Sequence, residues 1–199
     1  MRPIGTFVEL GAADGLYGSN TLLMETRLGW RGLLIEACPA YHETLARARC
    51  NNATSVVRHA AVGCEGSVPM PAECKHSTGI RHGDADAWLT NQWDHEDSAR
   101  ISAQPVACAS LDSLLDSALR ELNVYVVDFL SLDVEGFEAS VLRSATSALS
   151  AGRIGLVLVE IEHSANPGAI GALMEGESGA CTQDWPPMRS EGGIPEPPA

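Results

Sequence analysis

The stretch "FVELGAADGLYGSNTLLMETRLGW", residues 7–30, decides how the chain is read. An apolar run ends in Glu9, passes through Gly11, Gly15 and Gly18, and continues into residues spaced for a helix. A strand, a glycine-rich turn and a helix in that order form the first half of a βαβ unit. Such a turn is either a plain connection or a place where backbone amides approach a small charged ligand. Glycine at 11 and 15 leaves room for a ligand beside the main chain. Ser19, Asn20 and Thr21 are candidate caps for a helix whose first amides carry partial positive charge. The spacing is not G-x-G-x-x-G, which argues against a dinucleotide pyrophosphate and a nucleotide-dependent oxidoreductase.

Outward from this unit, four more apolar runs read as strands: 32–37, 55–62, 125–134 and 155–162. Helical spacing follows the first run around Leu22–Leu28 and the second over Tyr41–Arg49. It recurs at Leu111, Leu114, Leu115 and Leu119, and over Phe137–Leu149. Strands rich in Val, Ile and Leu alternating with helices predict an α/β fold, a doubly wound and mainly parallel sheet covered on both faces. Its site is expected at the carboxyl ends of the strands. One domain over 1–163 is expected, with an irregular insertion at 69–104 lying over the strand ends. A flexible tail rich in Gly, Pro and Glu is expected over 164–199.

Charge and composition exclude some functions. The 199 residues carry 26 acidic and 13 basic side chains, a net charge of −13. That surface repels nucleic-acid backbones and anionic lipid, and no apolar stretch is long enough to span a bilayer. The chain is expected to be soluble, with the cytoplasm as default compartment. Of six cysteines, none forms a C-x-x-C pair, and Cys38, Cys64 and Cys108 are expected as buried free thiols. The grouping Cys74, His76, His82 and His95 matches no metal-site spacing, so no metal is expected.

Two further positions carry chemistry. Glu36 ends the second strand, twenty-one residues past Gly15, where a carboxylate can accept hydrogen bonds from both hydroxyls of a ribose; otherwise it is an acid solvated at a strand end. "DFLSLDVEGFE" (128–138) brings Asp133 and Glu135 out at the end of a central strand. There they can orient a hydroxyl or take up its proton; otherwise Glu135 and Glu138 are acids of a first helical turn. Glu160, Glu162 and His163 approach the same rim, His163 as a candidate base or a surface residue.

Taken together, "FVELGAADGLYGSNT", "GLLIEACPAYHETLARAR", "HAAVGCEGS", "ASLDSLL" and "FLSLDVEGFEASVL" resemble the FkbM-type methyltransferases, class I enzymes with a Rossmann-like fold. The resemblance covers most of residues 6–162 and looks closer to a eukaryotic branch. It implies an S-adenosylmethionine cofactor and methyl transfer to a hydroxyl of a small molecule or glycan. Glu9, Gly11, Asp14 and Gly15 would surround its methionine part with Ser19 and Asn20. Glu36 would hold the ribose, Ala61 and Val62 would border the adenine, and Asp133 would face sulfonium and acceptor; Glu135, from the reading of 128–138, is the second catalytic candidate beside it. Ser131 stands where many relatives carry Lys. The stretch "SANPGAIGALMEGESGACTQDW" shows no hairpin to supply the two strands that usually complete the sheet, so the fold is expected to lack them. That leaves a non-catalytic binding protein of the same fold as the alternative.

Overall fold

A strand that is apolar at successive positions needs cover on both faces. β1 (Thr6–Leu10) is buried at every position, and β2 (Arg31–Glu36) at all but its first. The computed structural model describes residues 4–49, 54–71, 74, 103–161 and 167–178. Between β1 and β2 lies α1 (Leu22–Leu28), and after β2 come α2 (Pro39–Arg49), β3 (Ser55–His59), β4 (Ala61–Val62) and β5 (Ser67–Pro71). The chain continues through β6 (Ala103–Ala109), α3 (Leu111–Leu122), β7 (Val127–Leu132), α4 (Glu138–Arg143), α5 (Thr146–Ser150), β8 (Ile154–Val159) and α6 (Pro167–Ser178).

The main sheet is parallel in the order β3-β2-β1-β7-β8. Alternate side chains leave a strand on opposite faces. Val8, Leu10, Leu33, Ile35, Leu130 and Leu132 therefore pack on one side against Leu111, Leu115 and Leu119 of α3 and Val141 and Leu142 of α4. Phe7, Leu34 and Phe129 pack on the other against Leu45 of α2, Met24 and Trp30. The doubly wound sheet expected from the sequence is present. On β8, Leu156 aligns with Phe129, yet Leu156 and Leu158 remain exposed. Among the described residues no strand pairs with the outer edge of β8.

Several boundaries differ from expectation. The run 55–62 breaks at Ala60, whose amide bonds to the Glu36 carbonyl. Beyond it, Ala61 and Val62 pair with β6 instead of β2. The helical run 137–149 divides at Ser144, whose carbonyl leaves the helical ladder to accept the Asp112 amide. Asp112 in turn caps the start of α5, accepting the amides of Ser147 and Ala148 at 2.9 Å. The segment 69–104 is regular at both ends, since β5 and β6 pair antiparallel with Pro69 opposite Pro105. Neither proline has an N–H to donate, so the pair occupies a position without ladder bonds. The tail expected from 164 contains α6, which buries Ile170 in the main core. His76, His82, His95, Glu162 and His163 lie outside the described residues.

The free thiols are a correction. Cys38 bonds to Cys74, and Cys64 to Cys108. The partners are 36 and 44 residues apart; the β4-β6-β5 sheet brings Cys64 to Cys108, and Cys38 and Cys74 follow the ends of β2 and β5. By chain entropy alone, closing loops of this size stabilises the fold by about 4 kcal/mol each.

Candidate active site

β1 lies where the sheet reverses direction, β2 and β3 on one side and β7 and β8 on the other. The connections after β1 and β7 lead to opposite sides of the sheet, which makes their ends the switch point where a crevice is expected. A pocket of about 280 Å³ fills it, lined by the ends of β1, β2 and β7, the start of α2, and Ala61, Val62 and Met70.

The glycine turn is shaped by contacts within the chain. Gly11 has φ +73°, and a Cβ there would stand 1.8 Å from the Asp133 carbonyl oxygen. Gly15 has φ +74°, and its Cβ would meet Leu45 at 2.4 Å and Arg49 at 2.9 Å. Both glycines thus permit close packing of protein on protein, and Gly11 also borders the pocket. Asp14 folds back on the turn, its Oδ1 accepting the amides of Leu16 and Tyr17.

Beneath the turn sits a buried cluster that the sequence did not disclose. The Arg49 guanidinium, 2 % exposed, donates from Nε to Glu25, from Nη1 to the Gly15 carbonyl at 2.7 Å and Ser19 Oγ at 3.1 Å, and from Nη2 to Thr21 Oγ1. The other Glu25 oxygen accepts the hydroxyls of Thr54 and Ser55 at 2.6 Å. Glu9 holds the same loop from the sheet side, accepting the Asn20 amide and the hydroxyls of Ser19 and Thr21. The Asn20 side chain reaches Ser131 Oγ on β7. Thr21 occupies the cap position of α1 without a side-chain cap bond, and Ser19 Oγ accepts the Leu22 amide instead.

Glu36 is buried at the pocket wall. Its Oε2 accepts the Ala13 amide at 2.8 Å and its Oε1 the Cys38 amide at 2.7 Å. Burial raises its pKa above the usual carboxylate value, against the lowering effect of those amides; Asp133 adds a smaller push upward. Across the pocket, Asp133 and Glu135 follow β7. Glu135 has φ +55° and Gly136 φ +106°, a turn held by buried Glu138, whose Oε1 accepts the amides of Val134 and Gly136.

Of the residues expected in the site, Glu9, Gly11, Ser19, Glu36, Ala61, Val62, Asp133 and Glu135 line the pocket. Asp14, Gly15 and Asn20 do not; they shape the turn from behind. The sequence reading missed Tyr17, Tyr41, Phe137 and the Cys38–Cys74 bond, which also line it. Tyr41 had a signal, since it falls five residues past Glu36 at the start of α2. Burial and the nearby Glu36 and Asp14 raise its pKa.

A doubly wound parallel sheet with a pocket at its switch point defines a Rossmann-like α/β protein. Residues 9–179 match the methyltransferase FkbM domain, and the chain belongs to that family. Among solved structures it is similar to the methyltransferase FkbM from Methylobacillus flagellatus KT. The TM-score is 0.54 at 16 % identity, covering 88 % of this chain and 38 % of that one. This chain thus corresponds to well under half the length of that protein. No curated protein matches the sequence.

Two outcomes follow from the packing. Gly11→Ala should cost about 3 kcal/mol or more in urea unfolding, combining clash with left-handed strain. Gly18→Ala, at φ +72° with nothing within 4 Å of the added Cβ, should cost only about 1–2 kcal/mol. Equal costs would mean that the Asp133 contact is unimportant. Arg49→Met should destabilise by about 3–5 kcal/mol, because it removes the buried cation that faces Glu25. Adding Glu25→Leu should recover much of the loss, and a double variant no better than the single would refute the coupling.

Proposed function

We propose that the chain is an S-adenosylmethionine-dependent methyltransferase that methylates a hydroxyl oxygen on a small molecule or glycan. The observation that carries this reading is the charge of the pocket. Glu9, Glu36, Asp133 and Glu135 line it, and no Lys or Arg is among its described lining residues. Such a lining repels a pyrophosphate and favours a cation, which suits a sulfonium over a dinucleotide.

The residues present fit that cofactor. Glu36 accepts backbone amides on both oxygens and faces the pocket, where its remaining acceptor capacity suits a ribose hydroxyl. Ala61, Val62 and Met70 offer an apolar wall to the base. Glu9, Gly11 and Ser19 border the amino-acid end, while Asp14, Gly15 and Asn20 hold the loop that presents it. When bound, the cofactor would supply an electrophilic methyl group. Asp133 and Glu135 orient the acceptor hydroxyl, and one of them takes its proton as the oxygen becomes the nucleophile. The left-handed backbone at Glu135 supports a functional placement for that acid.

A second reading is a non-catalytic binding protein, favoured by the exposed Leu156 and Leu158 on β8, whose outer edge no described strand covers. Calorimetry with S-adenosylmethionine and S-adenosylhomocysteine tests the cofactor, and a methyl-transfer screen over hydroxylated small molecules and glycans separates the two readings. Two disulfides favour an oxidising compartment over the cytoplasmic default.

Glu36→Ala should weaken S-adenosylhomocysteine binding about 10- to 150-fold, the value of a charge-assisted hydrogen-bond pair worth about 1.5–3 kcal/mol. Because burial raises the Glu36 pKa above 4.5, wild-type affinity should fall as pH drops through that raised value. The variant should lack this pH dependence; unchanged affinity in the variant removes the ribose assignment. Asp133→Asn should lower turnover about 100-fold or more with little change in the urea midpoint. A collapse in stability at unaltered turnover per folded molecule would make Asp133 structural.

A further inference from the structure

Cys38 and Cys74 both line the pocket, whereas Cys64 and Cys108 do not. Cys38 lies two residues past Glu36, and its amide is the donor to Glu36 Oε1. Its carbonyl accepts the His42 amide in the first turn of α2. One residue therefore joins the carboxylate, the start of α2 and, through sulfur, a part of the chain 36 residues away. Cys74 packs against the cluster of Ala61, Met70 and Val106, together with Ala37. Ala61 and Met70 belong to the same pocket wall.

We infer that the Cys38–Cys74 disulfide is a working part of the pocket wall, so that ligand affinity follows its redox state. This rests on the cofactor reading above and adds a regulatory input to that site. Closed, the bond fixes the turn that holds Glu36 and seats residue 74 against the apolar wall. Cys38 is 2 % exposed and Cys74 is only partly buried, so an incoming thiolate reaches the Cys74 sulfur first. A dithiol reductant, protein or small molecule, forms a mixed disulfide with Cys74 and expels Cys38 as a thiolate, which picks up a proton. The second thiol of the reductant then displaces Cys74. Overall, two electrons and two protons pass to the cysteine pair, and the reductant leaves as its own disulfide. With the bond open, the wall and the Glu36 turn lose their shared anchor, and the ligand must order them on binding.

The test is calorimetric titration of S-adenosylhomocysteine into the full chain before and after dithiothreitol. Alkylation and peptide mapping report which bond is open, and circular dichroism reports the fold. Wild type should bind about tenfold or more weakly once Cys38–Cys74 is open, with its secondary structure retained. Cys64→Ser/Cys108→Ser should bind like oxidised wild type and respond to dithiothreitol in the same way. Cys38→Ser/Cys74→Ser should bind weakly from the start and ignore the reductant. Equal affinity with the bond mapped as open would overturn the inference alone. Loss of the fold on opening would also overturn it, by showing a purely structural bond. If oxidised wild type fails to bind at all, the cofactor reading falls, and this one with it.

Discussion

The Arg49 guanidinium is out of water, and the rest of the site depends on how its donors are used. Burying an ion pair carries a desolvation cost that the pair recovers only when its hydrogen bonds are complete. Here they are spread over Glu25, the Gly15 carbonyl, Ser19 and Thr21. Glu25 is completed from the β3 side by Thr54 and Ser55. No member can move without leaving a buried polar group unpaired. The loop from Gly11 to Thr21 is therefore held from below by α2 and from the sheet by Glu9.

That rigidity gives the opposite wall something to work against. Gly11 allows the exits of β1 and β7 to touch, which fixes Asp133 beside the turn. Glu138 pins the next turn through two amides, setting Glu135 in its left-handed conformation. Glu36 stands between these walls, tied to the turn through Ala13 and to α2 through Cys38. Hydrogen bonds stiffen one rim and a covalent bond the other. The two kinds of restraint differ in what releases them: a disulfide answers to a thiol reductant, and a buried hydrogen-bond network does not.

The acids of the pocket act on a ligand as a group. Three of the four also have a structural role: Glu9 as a loop anchor, Glu36 as a turn anchor, Glu135 as a residue of a strained turn. Facing one inner space without a basic residue among the described lining, they create a field that a neutral or cationic ligand satisfies and a phosphate does not. Belonging to the FkbM methyltransferase family accords with that field.

The sheet was legible in the sequence because its signals are local. Apolar runs, glycine turns and helical spacing report the neighbourhood of each residue, and the positions of Glu36, Asp133 and Glu135 follow from strands ending where polar residues begin. Burial of Arg49 was not legible, since an arginine at the end of an amphipathic helix has the same spacing whether it faces water or Glu25. Nor were the disulfides, because pairing across 36 and 44 residues depends on β4, β5 and β6 meeting in space. The same holds for the glycines: sequence shows that a Cβ is missing at 11 and 15, but only packing shows that Asp133, Leu45 and Arg49 occupy its place. Short-range periodicity determined the fold class and put Glu36, Asp133 and Glu135 at strand ends; long-range contact, invisible to spacing, decided which residues face the pocket and which hold it in shape.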